Sequence, residues 1–217
     1  MPDYAAQRFN MVESQVRAND VPDPRIQEAM LTVPRERFVP AANRAVAYAE
    51  AAAEVVPGRF LTEPRTLAKL LHLAGIEAGD RALVVGCATG YSAAVLARMA
   101  AKVTALETDV DLVRVASDML QAVGASNAQV VQGSLADGDK ANGPYDVILI
   151  DGAVEDVPEA LLGQLADGGR LVSVIQDGPR SRAHLYVRRG GHIGDRPDFD
   201  APAPLLPGFK KAVGFVF

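Results

Sequence analysis

Ala82-Leu83-Val84-Val85-Gly86-Cys87-Ala88-Thr89-Gly90-Tyr91 is the stretch that decides the fold. Its short apolar run, Ala82 to Val85, reads as a strand buried on both faces. The glycines at 86 and 90 then mark a tight turn, which opens a helix predicted from Tyr91 to Met99. Strand, glycine turn and helix in this order form the first half of a βαβ unit.

The same grammar continues downstream. Val103-Thr104-Ala105-Leu106 is the next predicted strand, and Val110 to Val123 a helix with Leu112, Val113, Ala116 and Leu120 on its inner face. Strands follow at Ala128 to Val131 and Tyr145 to Ile150, then a helix from Pro158 to Leu165. Gly168-Gly169 turns into a fifth strand, Arg170 to Ile175. Such alternation predicts an α/β fold with a Rossmann-like, doubly wound, mostly parallel sheet. The tail adds strand-like runs at His184 to Val187 and Ala212 to Phe217, separated by a proline-rich loop from Pro197 to Pro207. They are expected at the sheet edge, at least one of them antiparallel.

Upstream the chain reads as helical, with a first helix from Tyr4 through Arg17. A second starts at Asp23-Pro24, aspartate as N-cap and proline in the first turn, and ends before Pro34. Ala45 to Glu54 is alanine-rich and helical by propensity. Pro57-Gly58 breaks the chain, and a helix from Leu67 to Ala74 precedes the first central strand. The expected organisation is a single domain, 1–217, with an N-terminal helical extension (1–64) and a cofactor-binding core (65–217).

Composition narrows the function classes. The chain is 49% hydrophobic and 23% charged, as expected of a globular protein, and no window approaches the ~18 apolar residues of a membrane span. Met1 to Asn10 lacks the apolar core of a signal peptide. Cys87 is the single cysteine, so no intrachain disulfide forms, which fits a reducing cytoplasm. The histidines, His72, His184 and His192, are widely spread, and no metal site is expected. A net charge of -5 with no basic stripe argues against a nucleic-acid partner. No membrane partner is expected, and the expected state is a monomer.

In open α/β sheets ligands sit beyond the carboxyl ends of the strands. A dinucleotide fingerprint, G-x-G-x-x-G counted from Gly86, would need its third glycine at Tyr91, where a tyrosine obstructs close helix–strand contact. Gly86-x-Ala88-x-Gly90 follows instead the G-x-G-x-G spacing of methyltransferases, with S-adenosylmethionine as the expected cofactor. Glu107 ends the second strand at about the ~20-residue distance of a ribose-binding carboxylate. It is expected as a rim acid outside the core. Asp151 ends the fourth strand at the same rim. Cys87 has no Lys, Arg or His beside it in sequence, so its role is read as structural.

From about residue 11 to about residue 188 the sequence resembles the protein-L-isoaspartate (D-aspartate) O-methyltransferases. The most specific match is Met30-Leu31-Thr32-Val33-Pro34-Arg35-Glu36-Arg37-Phe38-Val39-Pro40, followed by Ala47-Tyr48. Leu61-Thr62-Glu63-Pro64 matches the family's Ile-Ser-x-Pro, and Gly86 to Tyr91 its Gly-x-Gly-x-Gly-Tyr. Pro158 to Val172 matches its helix and fifth strand. The resemblance implies a class I methyltransferase fold and methyl transfer from S-adenosylmethionine to isoaspartyl residues of damaged proteins. It places Thr62 beside the acceptor and puts Phe60, Leu61, Gly86, Cys87, Ala88, Gly90, Glu107, Thr108, Ser134, Leu135 and Asp151 at the cofactor. Thr66 is the better N-cap for the following helix, which leaves the Thr62 hydroxyl free for that role.

The departures are Val84 for an acid in the first strand, Ala88 for the central glycine, Phe60 for a threonine, Ser134 for the aspartate of Gly-Asp-Gly, and Asp151 for a threonine. They keep two alternatives open, a methyltransferase with another acceptor and a cofactor-binding homologue without catalysis.

Overall fold

The computed structural model describes residues 2–210. Helix α1 (Tyr4–Met11), capped by Asp3, runs on through a π turn at Val12–Val16. Helix α2 (Pro24–Thr32) begins as its sequence requires: the Asp23 side chain accepts from the Arg25 amide, and Pro24 lies in the first turn. Strands β1 (Ala53–Val56) and β2 (Arg59–Leu61) pair as an antiparallel hairpin. Next come α3 (Pro64–Ala74), β3 (Arg81–Val85), α4 (Tyr91–Leu96), β4 (Lys102–Glu107), α5 (Val110–Ala122) and β5 (Ala128–Gln132). The chain continues with β6 (Tyr145–Val154), α6 (Glu159–Leu162), β7 (Leu165–Asp177), β8 (Arg180–Arg189) and β9 (His192–Asp200).

The seven-stranded sheet has the order β5-β4-β3-β6-β7-β8-β9. Strands β5 through β7 in this order are parallel, and β8 and β9 add antiparallel at one edge. The connections leave β3 toward β4 on one side and return to β6 on the other, so the switch point lies at the carboxyl ends of β3, β4 and β6.

Residue alternation assigns the two faces. Ala82 and Val84 join a core with Met11, Ile26 and Met30 of the N-terminal helices and Leu67 and Leu71 of α3. Leu83 and Val85 face the opposite core, with Leu106, Ile148, Ile150 and Leu161. Leu206 and Phe209, from the segment after β9, belong to this second core. Val84, at the family's acidic position, is fully buried. No helix among the described residues is long and apolar enough to cross a membrane.

Several expectations fail on tertiary grounds. The stretch from Ala45 to Glu54 is not a helix: a 3-10 turn at Ala41–Val46 leads into β1. Buried Ala53 and Val55 alternate there with exposed Glu54 and Val56, and hairpin pairing outweighs a weak alanine propensity. Helix α3 starts at Pro64 with Glu63 as the cap residue, not Thr66; the Thr66 hydroxyl donates to Glu63 Oε1 at 3.2 Å. The predicted proline-rich loop is partly strand, because Pro197 lies within β9, at the sheet edge where a missing N–H is tolerated. The predicted strand Ala212 to Phe217 lies outside the described residues.

Candidate functional site

The loop between β3 and α4 turns on three left-handed residues, Gly86 (φ 78), Ala88 (φ 50) and Gly90 (φ 96). For alanine this conformation costs roughly 1–2 kcal/mol. Hydrogen bonds offset it: the Gly86 and Cys87 amides donate to Leu106 O at 2.9 and 3.2 Å, and the Ala88 amide to Glu107 Oε2 at 2.9 Å. The loop is thus bolted to the end of β4.

Glu107 sits at that end as placed, but not as a free rim acid. It is fully buried. Arg59 of β2 grips it with two bonds, Nη1 to Oε1 at 2.6 Å and Nη2 to Oε2 at 2.5 Å. The Thr108 amide also donates to Oε1 at 2.8 Å. The expectation that Glu107 lies outside the core is therefore corrected: its charge stays in the interior because a bidentate guanidinium compensates it. Burial pulls the Arg59 pKa down, but its bonds to Glu107 and that residue's charge outweigh burial and leave it raised.

Thr62, directly after β2, is buried, and its hydroxyl donates to Asp151 Oδ1 at 2.6 Å. Burial pushes the Asp151 carboxyl above the ordinary aspartate value, against the pull of the Ser92 and Thr62 hydroxyls and of Arg35 and Arg59. Arg35 ties this pair to the N-terminal segment. Completely buried, it donates to Ala47 O at 2.7 Å and Thr62 O at 3.0 Å, and its guanidinium lies 4.8 Å from the Tyr91 ring centre. Phe38 meets Tyr91 edge-on at 5.6 Å, and its carbonyl accepts from the Thr89 hydroxyl at 2.6 Å. The Pro34-to-Pro40 motif is therefore the clamp that holds the glycine loop against Thr62.

The remaining predicted residues distribute around this rim. Half-buried Phe60 lines one small cavity together with Thr62, Asp151, Arg59 and Leu206. Leu61 and Leu135 are buried in opposite cores, while Thr108 and Ser134 are exposed. Cys87 is buried, and burial, with the Glu107 and Asp151 charges, pushes its thiol well up; this agrees with a structural role. Among the described residues no cluster suited to a metal ion occurs.

Two residues that sequence reasoning missed shape the site. One is Arg59, whose only signal was a basic residue entering a short strand of buried alternate positions. The other is Leu206, 55 residues beyond Asp151 in sequence, with no local signal at all. A Cβ on Gly86 would stand 3.0 Å from Leu206 Cδ2, and one on Gly152 only 2.6 Å from Leu206 Cγ. Both glycines cradle the leucine. The cavity at this rim measures about 10 Å³, against roughly 300–1,000 Å³ for a ligand pocket. The donor set suits an adenosyl cofactor, with a buried strand-end carboxylate and a close-approach glycine loop. The space in this conformation does not.

Residues 7–197 match the family model described as protein-L-isoaspartate(D-aspartate) O-methyltransferase. A protein-L-isoaspartate O-methyltransferase of Koribacter versatilis is 38% identical over 186 residues, 86% of this chain and 83% of the relative. A solved protein-L-isoaspartate O-methyltransferase superposes with a TM-score of 0.81 at 24% identity, covering 94% of this chain and 66% of that longer one. A second, from Plasmodium falciparum in complex with S-adenosyl-L-homocysteine, gives 0.79 at 21% identity, covering 92% and 97%. The two structural likenesses concern the fold.

Proposed function

Because the chain belongs to the protein-L-isoaspartate (D-aspartate) O-methyltransferase family, we propose that the rim of β3, β4 and β6 is where it methylates isoaspartyl residues of damaged proteins. S-adenosylmethionine, the family's cofactor, supplies an activated methyl group when bound. Gly86, Gly90 and Glu107 are the residues that would hold it. The acceptor is a carboxylate with an ordinary pKa near ~4, already ionised at neutral pH, so no general base is needed. What the protein contributes is position and exclusion of water.

The observation that carries the reading is the Thr62–Asp151 hydrogen bond, buried beside the glycine loop. An ionised Asp151 would keep the Thr62 proton for itself and repel an incoming carboxylate. Burial favours the neutral form. Were Asp151 neutral, it would donate its own proton to Thr62 Oγ1, reversing the bond seen here and freeing the Thr62 hydroxyl to donate to the acceptor. Asp151, in place of the family's threonine, thus remains compatible with a carboxylate acceptor.

A second reading, a homologue without catalysis, is favoured by one observation, Leu206 and Arg59 occupying the cleft. Labelled S-adenosylmethionine with an isoaspartyl peptide, beside its aspartyl twin, separates the two. Transfer to the isoaspartyl peptide alone supports the repair enzyme. Transfer to neither leaves the non-catalytic reading standing.

A further inference from the structure

The segment after β9 re-enters the sheet at the carboxyl end of β6. Pro204 O accepts from the Ala153 amide at 2.8 Å, and the Leu206 amide donates to Ala153 O at 2.8 Å. Phe209 O accepts from the Glu155 amide at 3.2 Å. A parallel bridge joins Ala153 to Leu205. The segment is anchored like a short extra strand, and its apolar side chains, Leu206 and Phe209, are 6% and 5% exposed. Leu206 is aimed at the switch point. Its methyl carbons lie over Gly86, and the Arg59 guanidinium approaches the same glycine, 3.7 Å from where its Cβ would be.

We propose that Pro204–Phe209 is a built-in competitor of the cofactor: Leu206 fills the cleft over Gly86 and Gly152 while Arg59 holds the Glu107 carboxylate, and a nucleoside-type ligand enters only when this segment leaves. The inference rests on the cofactor reading above. Its consequence is quantitative. A ligand that binds only the open form shows an apparent Kd equal to its intrinsic Kd divided by the open fraction. A closed form held by backbone bonds and buried apolar side chains makes that fraction small. Leu206 is suited to the role because a leucine seated on bare glycine backbone packs without a polar partner to lose on leaving. Arg59 is suited because its two bonds to Glu107, together with those from the Ala88 and Thr108 amides, take up the acceptor sites on both oxygens that a ribose would need.

Calorimetric titration of the full chain with S-adenosylhomocysteine, wild type against Leu206→Ala, tests the proposal without any turnover. The expected result is tighter binding by Leu206→Ala, by about tenfold or more. Hydrogen exchange on wild type is the second measurement and needs no variant to fold. Saturating S-adenosylhomocysteine should deprotect the Leu206 and Ala153 amides, which donate across the segment's junction with β6. Equal affinities, or tight wild-type binding with both amides still protected, would overturn the competitor while leaving the cofactor reading intact. No binding by wild type or by a Leu206→Ala variant of native circular dichroism overturns the cofactor reading, and the competitor with it.

Discussion

Glu107→Ala should cost the fold far more than a rim acid would. Its carboxylate is fully buried and meets Arg59, whose side chain is 8% exposed, at 2.5 Å. Removing one partner of a buried pair strands the other charge, at a cost of roughly 3–5 kcal/mol. The Ala88 and Thr108 amides also lose their acceptor, which holds the left-handed Ala88 in place. Against a total stability of about 5–15 kcal/mol this is a large fraction. At about 2–4 °C per kcal/mol for a chain of this size, the melting temperature should fall by roughly 6–20 °C. Thermal and urea denaturation of the ligand-free protein measure it, and a double variant tests whether the stranded charge is the cause. Arg59→Met combined with Glu107→Gln removes both charges and keeps an amide oxygen for the loop, so it should be clearly more stable than Glu107→Ala. A loss below ~1 kcal/mol for Glu107→Ala, the size of an exposed pair, would refute the reasoning. So would a double variant no more stable than the single one.

Thr62→Val keeps the shape and removes the hydroxyl; methyl transfer should slow by roughly 5- to 150-fold, the equivalent of a lost hydrogen bond of ~1–3 kcal/mol. Its affinity for S-adenosylhomocysteine should stay close to wild type, and equal rates would remove Thr62 from the mechanism. Asp151 has its folded pKa raised, so its stabilising contribution is complete below the ordinary 3.8 and is lost as pH rises through the elevated value. The stability of Asp151→Asn relative to wild type should therefore improve with rising pH across that window, followed by paired melting curves; a difference that is flat with pH sinks the assignment. Cys87→Ser should retain most transferase activity, and the native thiol should resist a thiol reagent until the protein unfolds; abolished turnover with cofactor binding intact would reveal thiol chemistry instead.

The local signals served where each element is decided by its own residues. Asp23-Pro24 starts α2, and the apolar runs beginning at Ala82, Val103 and Tyr145 become adjacent buried strands. The glycine spacing at 86 and 90 placed the loop on positive φ, and even the alanine between them follows. Where propensity was the sole guide, over Ala45 to Glu54, hairpin pairing overrode it. The Pro34-to-Pro40 motif was legible as a family string, yet its reason, a buried arginine spanning Ala47, Thr62 and Tyr91, is visible only in three dimensions.

By itself the sequence determined the strand–helix alternation, the parallel sheet, the family and the positions of Thr62, Glu107 and Asp151 near one rim, because these follow from periodicity, turn chemistry and a contiguous motif. The tertiary structure alone decided what those groups touch. Arg59 lies 48 residues from Glu107, and Leu206 lies 120 residues from Gly86 by their numbers. Neither contact has a periodicity or spacing that could announce it. A salt bridge and a packed leucine are set by through-space distance and burial, and the chain order of their partners leaves no trace of either.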